Sequence, residues 1–123
     1  MRATPRYRRG VDEELERTAA CLEALGHPTR LAIYRLLVRA GSDGRPVGKI
    51  QEALAAPAST LSHHLKHLEM VGLIVRRREG TTHRCVASFP TMDQVLGFLT
   101  RECCAEDAAP GGPPADHPRR AAD

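Results

Sequence analysis

The sequence predicts a mainly α fold with a β-hairpin wing: a winged helix-turn-helix unit, dimeric in its working form. Three observations carry that prediction. A short helical segment, a tight "AAP" connection and a second, polar-faced helix follow one another in the middle of the chain. A pair of basic strands around "EGTT" comes directly after them. The part able to fold, residues 11–104 of 123, is short enough to have a marginal core that a second copy would support.

The two ends are read as disordered tails. Residues 1–10, "MRATPRYRRG", carry four arginines with a proline and a glycine and show no apolar period. Residues 105–123, "AEDAAPGGPPADHPRRAAD", contain no large aliphatic side chain. Neither buries enough apolar surface to offset its ordering entropy. The net charge is only +3, but arginine outnumbers lysine sixteen to two and clusters at 2–9, 76–84 and 119–120. Such clustering makes the local positive potential that phosphate binding needs. No stretch is apolar enough to span a membrane, and the basic N-terminus lacks the hydrophobic segment of a signal peptide. A cytoplasmic chain is expected, in which the four cysteines are free thiols or ligands rather than structural disulfides.

The elements follow from periodicity. Leu15, Ala19, Leu22 and Leu25 recur at helical spacing over 11–25, and Gly26 ends that helix. "HPTRLAIYRLLVRAG" starts a second helix with Pro28 in its first turn, and Leu31, Ile33, Leu36, Leu37 and Val38 are expected to be its buried face. In "PVGKIQEAL", Val47, Ile50 and Leu54 mark a short helix. Leu61, Leu65 and Leu68 anchor the next, and Gly72 stops it. "LIVRRR" and "HRCVAS" then read as strands of a hairpin. Thr91 with Gln94 resembles a capping box opening a last helix, whose apolar stripe is Met92, Val95, Leu96, Leu99 and Cys103. No internal repeat interrupts this order.

With the leucines of "STLSHHLKHL" committed to the core, Ser59, Thr60, Ser62, His63 and Lys66 face outward, able to meet phosphates or base edges. A solvated helix face is the bland alternative, which the neighbouring basic hairpin argues against. Strand alternation lets only some of Arg76, Arg77, Arg78 and Arg84 share a face. Arg77 with Thr81 and Thr82 at the turn are expected to reach phosphate or the minor groove. His63, His64 and His67 are clustered, but on such a helix they read as polar contacts rather than ligands, and His27 as a cap or packing group. No phosphate-cradling glycine loop and no nucleophile with a base and an orienting acid is present, so an enzyme is not expected.

"LEALGHPTRLAIYRLL" and "STLSHHLKHLEMVGLIVRRREGTTHRCVAS" resemble the ArsR/SmtB family of winged-helix transcriptional repressors, over about residues 15–104. The resemblance implies a homodimer built from the first and last helices, bound to inverted-repeat operator DNA and released by an inducer. The family's Cys-x-Cys arsenite pattern near the recognition helix is missing, since "RPVGKIQEAL" has no cysteine. Its zinc pattern on the last helix needs histidine, and this helix offers only Asp93. "GFLTRECC" is similar to the arsenic-responsive subgroup with a cysteine pair ending the last helix.

Three readings are open for Cys103 and Cys104. Cys103 can be a small buried hydrophobe four residues after Leu99. The pair can be redox-active, although a disulfide between neighbours strains the intervening peptide. Or the two thiolates can bind a soft acceptor. The resemblance favours the last: trivalent arsenic, as arsenite or an organoarsenical, or antimony, acting as inducer, with no catalytic cofactor. Neighbouring side chains on an intact helix point about 100° apart, so the sulfurs converge only where the helix frays. Cys21, on a helix the family packs against the last one, is the candidate third ligand, whereas Cys85 in the wing is read as structural. The alternatives are a winged-helix repressor sensing redox state or another soft metal, and a thiol-based metal buffer.

Overall fold

The computed structural model describes residues 9–107 of the chain; most of both expected tails lies outside them. The order is α1 (Arg9–Leu25), α2 (Pro28–Ala40), a 3-10 turn at Gly41–Asp43, β1 (Arg45–Pro46), α3 (Val47–Leu54), α4 (Ala58–Met70), β2 (Ile74–Glu79), β3 (Thr82–Ala87) and α5 (Phe89–Thr100). The sheet is antiparallel with order β1-β3-β2. The hairpin closes on Gly80 and Thr81 with Glu79 opposite Thr82, and Gly80 supplies the positive φ that such a two-residue turn needs at its first position.

The helix ends are specified locally. His27 caps α2, its Nδ1 accepting the Thr29 N–H at 3.1 Å ahead of Pro28 in the first turn. At the end of α4 the Leu73 N–H bonds the Leu68 carbonyl, and that of Gly72, at φ +85°, bonds Glu69: a Schellman closure. The expected capping box at Thr91 is not the start of α5. Ser88 is the N-cap, accepting from the Thr91 N–H, and Pro90 lies inside the first turn. Proline tolerates that turn because its missing N–H would have had no helical partner.

The core joins Ile33 and Leu37 of α2, Ile50 of α3, Leu61, Leu65 and Leu68 of α4, and Leu73, Ile74 and Cys85 at the base of the wing. Two apolar stripes sit differently from expectation. On α1 the residues facing inward are Thr18, Cys21 and Ala24, while Leu15 and Leu22 are 41% and 40% exposed. On α5 Val95 is buried, while Leu96 and Leu99 are 53% and 56% exposed. Each helix thus has one side packed on the core and a second side with exposed leucines. On α2, Leu31 is exposed and Arg30 and Tyr34 are buried instead, because they fall on one stripe with Ile33 and Leu37.

β1 is the element that periodicity does not announce, since it has only two residues, pairing Arg45 with Cys85 and Pro46 with Arg84. Gly44 makes that pairing possible: its φ is +63°, and a Cβ there would overlap the Cys85 carbonyl oxygen. Gly80 has nearly the same φ, +64°, but open space around it. Gly44→Ala is therefore expected to cost more than ~3 kcal/mol of unfolding free energy, and Gly80→Ala about 1–2 kcal/mol from backbone strain alone. Urea denaturation of the two variants separates them; equal losses would contradict the close approach at Gly44.

Candidate nucleic-acid interface and thiol site

α4 meets the core through Leu61, Leu65 and Leu68, and that stripe decides what the helix presents outward. Ser59, Thr60, Ser62, His63 and Lys66 are all exposed on it. The three clustered histidines divide. His63 stays outside, whereas His64 is buried and His67 is half-buried with its Nε2 3.2 Å from a Glu23 carboxylate oxygen. Only His63 was expected to face outward, and His64, three residues after Leu61 and four before Leu68, makes its polar contact inside the fold, with Arg30. Arg30, which sequence reasoning passed over, is buried beside it, and its place three residues before Ile33 was the available signal.

The wing sorts its arginines. Arg76 reaches Glu69 at 3.5 Å, Arg84 reaches Glu79 and the Asp43 carbonyl, each at 3.1 Å, and Arg78 donates to the Gly80 carbonyl at 3.3 Å. Among the described residues, Arg77 has no such partner and is exposed, as are Thr81 and Thr82 at the tip. A groove of about 600 Å³ separates the wing tip from α3, and Lys49 and His83 line it beside Thr81 and Thr82. Neither basic residue was singled out in the sequence, because only the β1–β3 pairing carries α3 up to the wing. The helix face and the wing tip are both exposed and carry hydroxyls and cations suited to a nucleic-acid backbone, while in the groove Lys49 lies 3.7 Å from the Glu52 carboxylate.

The thiols fall into two classes. Cys85 is completely buried, and burial raises its pKa. Cys21 is also buried, donates to the Val71 carbonyl at 3.5 Å and has its pKa raised by burial, with Arg17 opposing. It lines a cavity of about 230 Å³ with Thr18, Thr91, Gln94 and Val95, at the opening turns of α5. Cys103 and Cys104 are different. Helix α5 ends at Thr100, and both cysteines lie exposed in the turns beyond it. Cys103 is therefore not the buried end of the apolar stripe. Cys104 has φ +62°, and that departure from the helix brings the two sulfurs to 3.5 Å. The shared hydrogen bond and the mutual repulsion of two thiolates raise the Cys103 pKa.

Arg101 ties this segment back to α1, donating from both terminal nitrogens to Glu14 at 3.1 and 3.2 Å and lying over the Phe98 ring. Cys21 lies seven residues, about 10 Å of helix, beyond Glu14. Within one protomer Cys21 is thus not brought to Cys103 and Cys104. Among the described residues, no group of three or more histidines, cysteines and carboxylates stands ready for a metal ion.

A family model described as a helix-turn-helix domain matches residues 25–77. An HTH-type transcriptional regulator of Methanocaldococcus jannaschii, MJ1325, is 44% identical over 69 residues, covering 56% of this chain and 75% of that protein. The chain belongs to the HTH-type transcriptional regulators. Solved structures share the regulator's fold. One, described as a "possible transcriptional regulator for arsenical resistance", is 25% identical with a TM-score of 0.58, over 66% of this chain and 81% of that one. Another is the homodimeric winged-helix DNA-binding domain of Mb0332 from Mycobacterium bovis, described as a possible ArsR-family regulator. It is 23% identical with a TM-score of 0.62, over 86% of this chain and 98% of that one. The homologues of this regulator bind DNA and are not enzymes. Among its described residues, no helix is long and apolar enough to cross a membrane.

For a helix-turn-helix regulator with this surface, Arg77→Ala should weaken binding to every duplex by a similar factor. It should also flatten the dependence of log K on log salt by about one unit. Fluorescence anisotropy across a salt series reads both effects. A loss confined to one DNA sequence would show that Arg77 reads bases instead.

Proposed function

We propose that the protein is an arsenic-responsive transcriptional repressor, a homodimer released from operator DNA when trivalent arsenic binds Cys103 and Cys104. The single observation that carries the reading is the exposed thiol pair, 3.5 Å apart in a turn just past α5. Operator DNA is contacted by Ser59, Thr60, Ser62, His63 and Lys66 on α4 and by Arg77, Thr81 and Thr82 on the wing. The homodimer forms through α1 and α5, and the exposed Leu15, Leu22, Leu96 and Leu99 support it. Burying each of these leucines against a partner is worth ~1.5–3 kcal/mol at most.

The chemistry is an exchange at arsenic. A monosubstituted arsenical carries two hydroxyls; each thiol gives its proton to one departing hydroxyl, two As–S bonds replace two As–O bonds, and two waters leave. No oxidation state changes. Arsenite retains a third position, for which the protomer brings no third thiol to the pair, so an organoarsenical is the better match. Binding rigidifies the turn that Arg101 ties to Glu14, and through it the packing of α5 on α1. A two-state change in dimer geometry is then the lever on DNA affinity. The regulator is cytoplasmic in this reading, where the thiols stay reduced.

The same 3.5 Å approach supports a second reading, in which an oxidant converts the pair to a disulfide. Operator release by arsenite, phenylarsenical, zinc, cadmium and peroxide, compared between wild type and Cys103→Ser/Cys104→Ser, distinguishes them. Release by phenylarsenical at lower concentration than arsenite, lost in the double variant, is expected. Equal responses of both proteins would remove the pair from the mechanism, and release by peroxide alone would favour the disulfide. Separately, Leu96→Asp/Leu99→Asp is expected to raise the dimer dissociation constant about a hundredfold or more, read by sedimentation equilibrium.

A further inference from the structure

A buried basic cluster joins α4 to α1 and α2, and neither the DNA-facing surface nor the thiol pair uses it. His64 is 7% exposed on the inward stripe of α4, and Arg30 of α2 is 8% exposed. Arg30 Nε donates to the Ala24 carbonyl at 2.7 Å, which fixes the guanidinium against the end of α1. Its Nη1 lies 3.3 Å from His64 Nδ1. A guanidinium only donates, so this contact requires a lone pair on Nδ1 and puts the imidazole proton on Nε2. The His27 ring packs at 4.6 Å between centroids, with its own Nδ1 committed to capping α2.

The charged and titratable groups facing His64 are His27 at the start of α2, Arg30 on α2, and His63 and His67 on α4 itself. From α1 comes Glu23, whose carboxylate is engaged with His67. From β2, Arg76 turns to Glu69. Cations and bases thus surround the imidazole, and the Glu23 carboxylate is held by His67.

We propose that Arg30 and His64 are positioning residues for operator reading: the neutral imidazole, accepting from Arg30, seats α4, and its protonation unseats the helix and abolishes sequence selectivity. A proton on Nδ1 would turn the acceptor into a donor aimed at a permanent cation in a site with little access for water. Burial first, and the cationic neighbours next, already hold the His64 pKa below the ordinary histidine value. The sign follows: the contribution of the neutral form is complete above the ordinary range and is lost as pH falls through the lowered folded value. The exposed DNA-facing surface does not depend on that contact. There the contacts to any DNA backbone come from Lys66 and Arg77, which stay charged throughout. Acid should therefore weaken specific binding relative to non-specific binding.

The test uses the full chain, an operator selected by the wild type from random duplexes, and a scrambled duplex of equal length. Both affinities are measured from about pH 7.5 to about pH 5.5 at constant ionic strength, around the histidine range. The wild-type ratio of specific to scrambled affinity should fall severalfold, by less than about tenfold and most steeply at the acid end, with helix content by circular dichroism unchanged. His64→Asn keeps an amide oxygen for Arg30 and does not titrate. It should retain wild-type selectivity at the upper pH, and its ratio should stay flat. His64→Leu should lose selectivity at every pH. A flat wild-type ratio overturns the proposal, as does a fall in His64→Asn parallel to the wild type. Should His64→Asn fail to fold, His64→Gln, which also offers an amide oxygen and does not titrate, takes its place: a flat ratio supports the proposal and a fall parallel to the wild type overturns it.

Discussion

Everything that faces outward from this molecule depends on how one helix is seated. α4 is held by a stripe of Leu61, His64, Leu65 and Leu68 against α1, α2 and the base of the wing. The leucines provide the driving force, through area removed from water. The imidazole adds directionality, since its hydrogen bond to Arg30 has one geometry whereas aliphatic packing tolerates several. The Schellman closure at Gly72 then turns the chain straight into β2, so the seat of α4 also sets where the wing begins.

A second constraint is that α1 and α5 each carry two apolar faces. Small and polar-tipped residues, Thr18, Cys21 and Ala24, face inward on α1 and allow close packing, while Leu15 and Leu22 remain exposed. The arrangement suits a protomer whose own core is small. It also places the Arg101–Glu14 pair, and the turn holding Cys103 and Cys104, at the edge of that open apolar surface. In the proposed mechanism a ligand there acts on the surface that holds two copies together, without approaching the DNA-facing side.

The helices and the hairpin were legible because their signals are local: 3.6-residue periodicity, Pro28 and Gly72 at helix ends, and Gly80 at a tight turn. The start of α5 was misread because Thr91 and Gln94 imitate a capping box one turn inside the true cap at Ser88. The α1 stripe was misread because size was taken as a guide to burial. Leucines repeat on the side that is open in the protomer, and the inward side is made of smaller residues. β1 was missed because two residues carry no period, and Lys49 and His83 because their proximity depends on that strand.

By itself the sequence determined the element order, the outward polar face of α4, the basic wing and an unusual pair of neighbouring thiols. Each of these is a property of a short segment, governed by backbone preference and side-chain spacing. Only the tertiary structure decided which polar residues are buried, and it separated His64 and Arg30 from the histidines and arginines at the surface. It also decided that Cys103 and Cys104 lie beyond the helix with their sulfurs close, while Cys21 faces a cavity at the other end of α5. Such choices depend on which long-range neighbour excludes water from a group, and a pattern along the chain does not specify that neighbour.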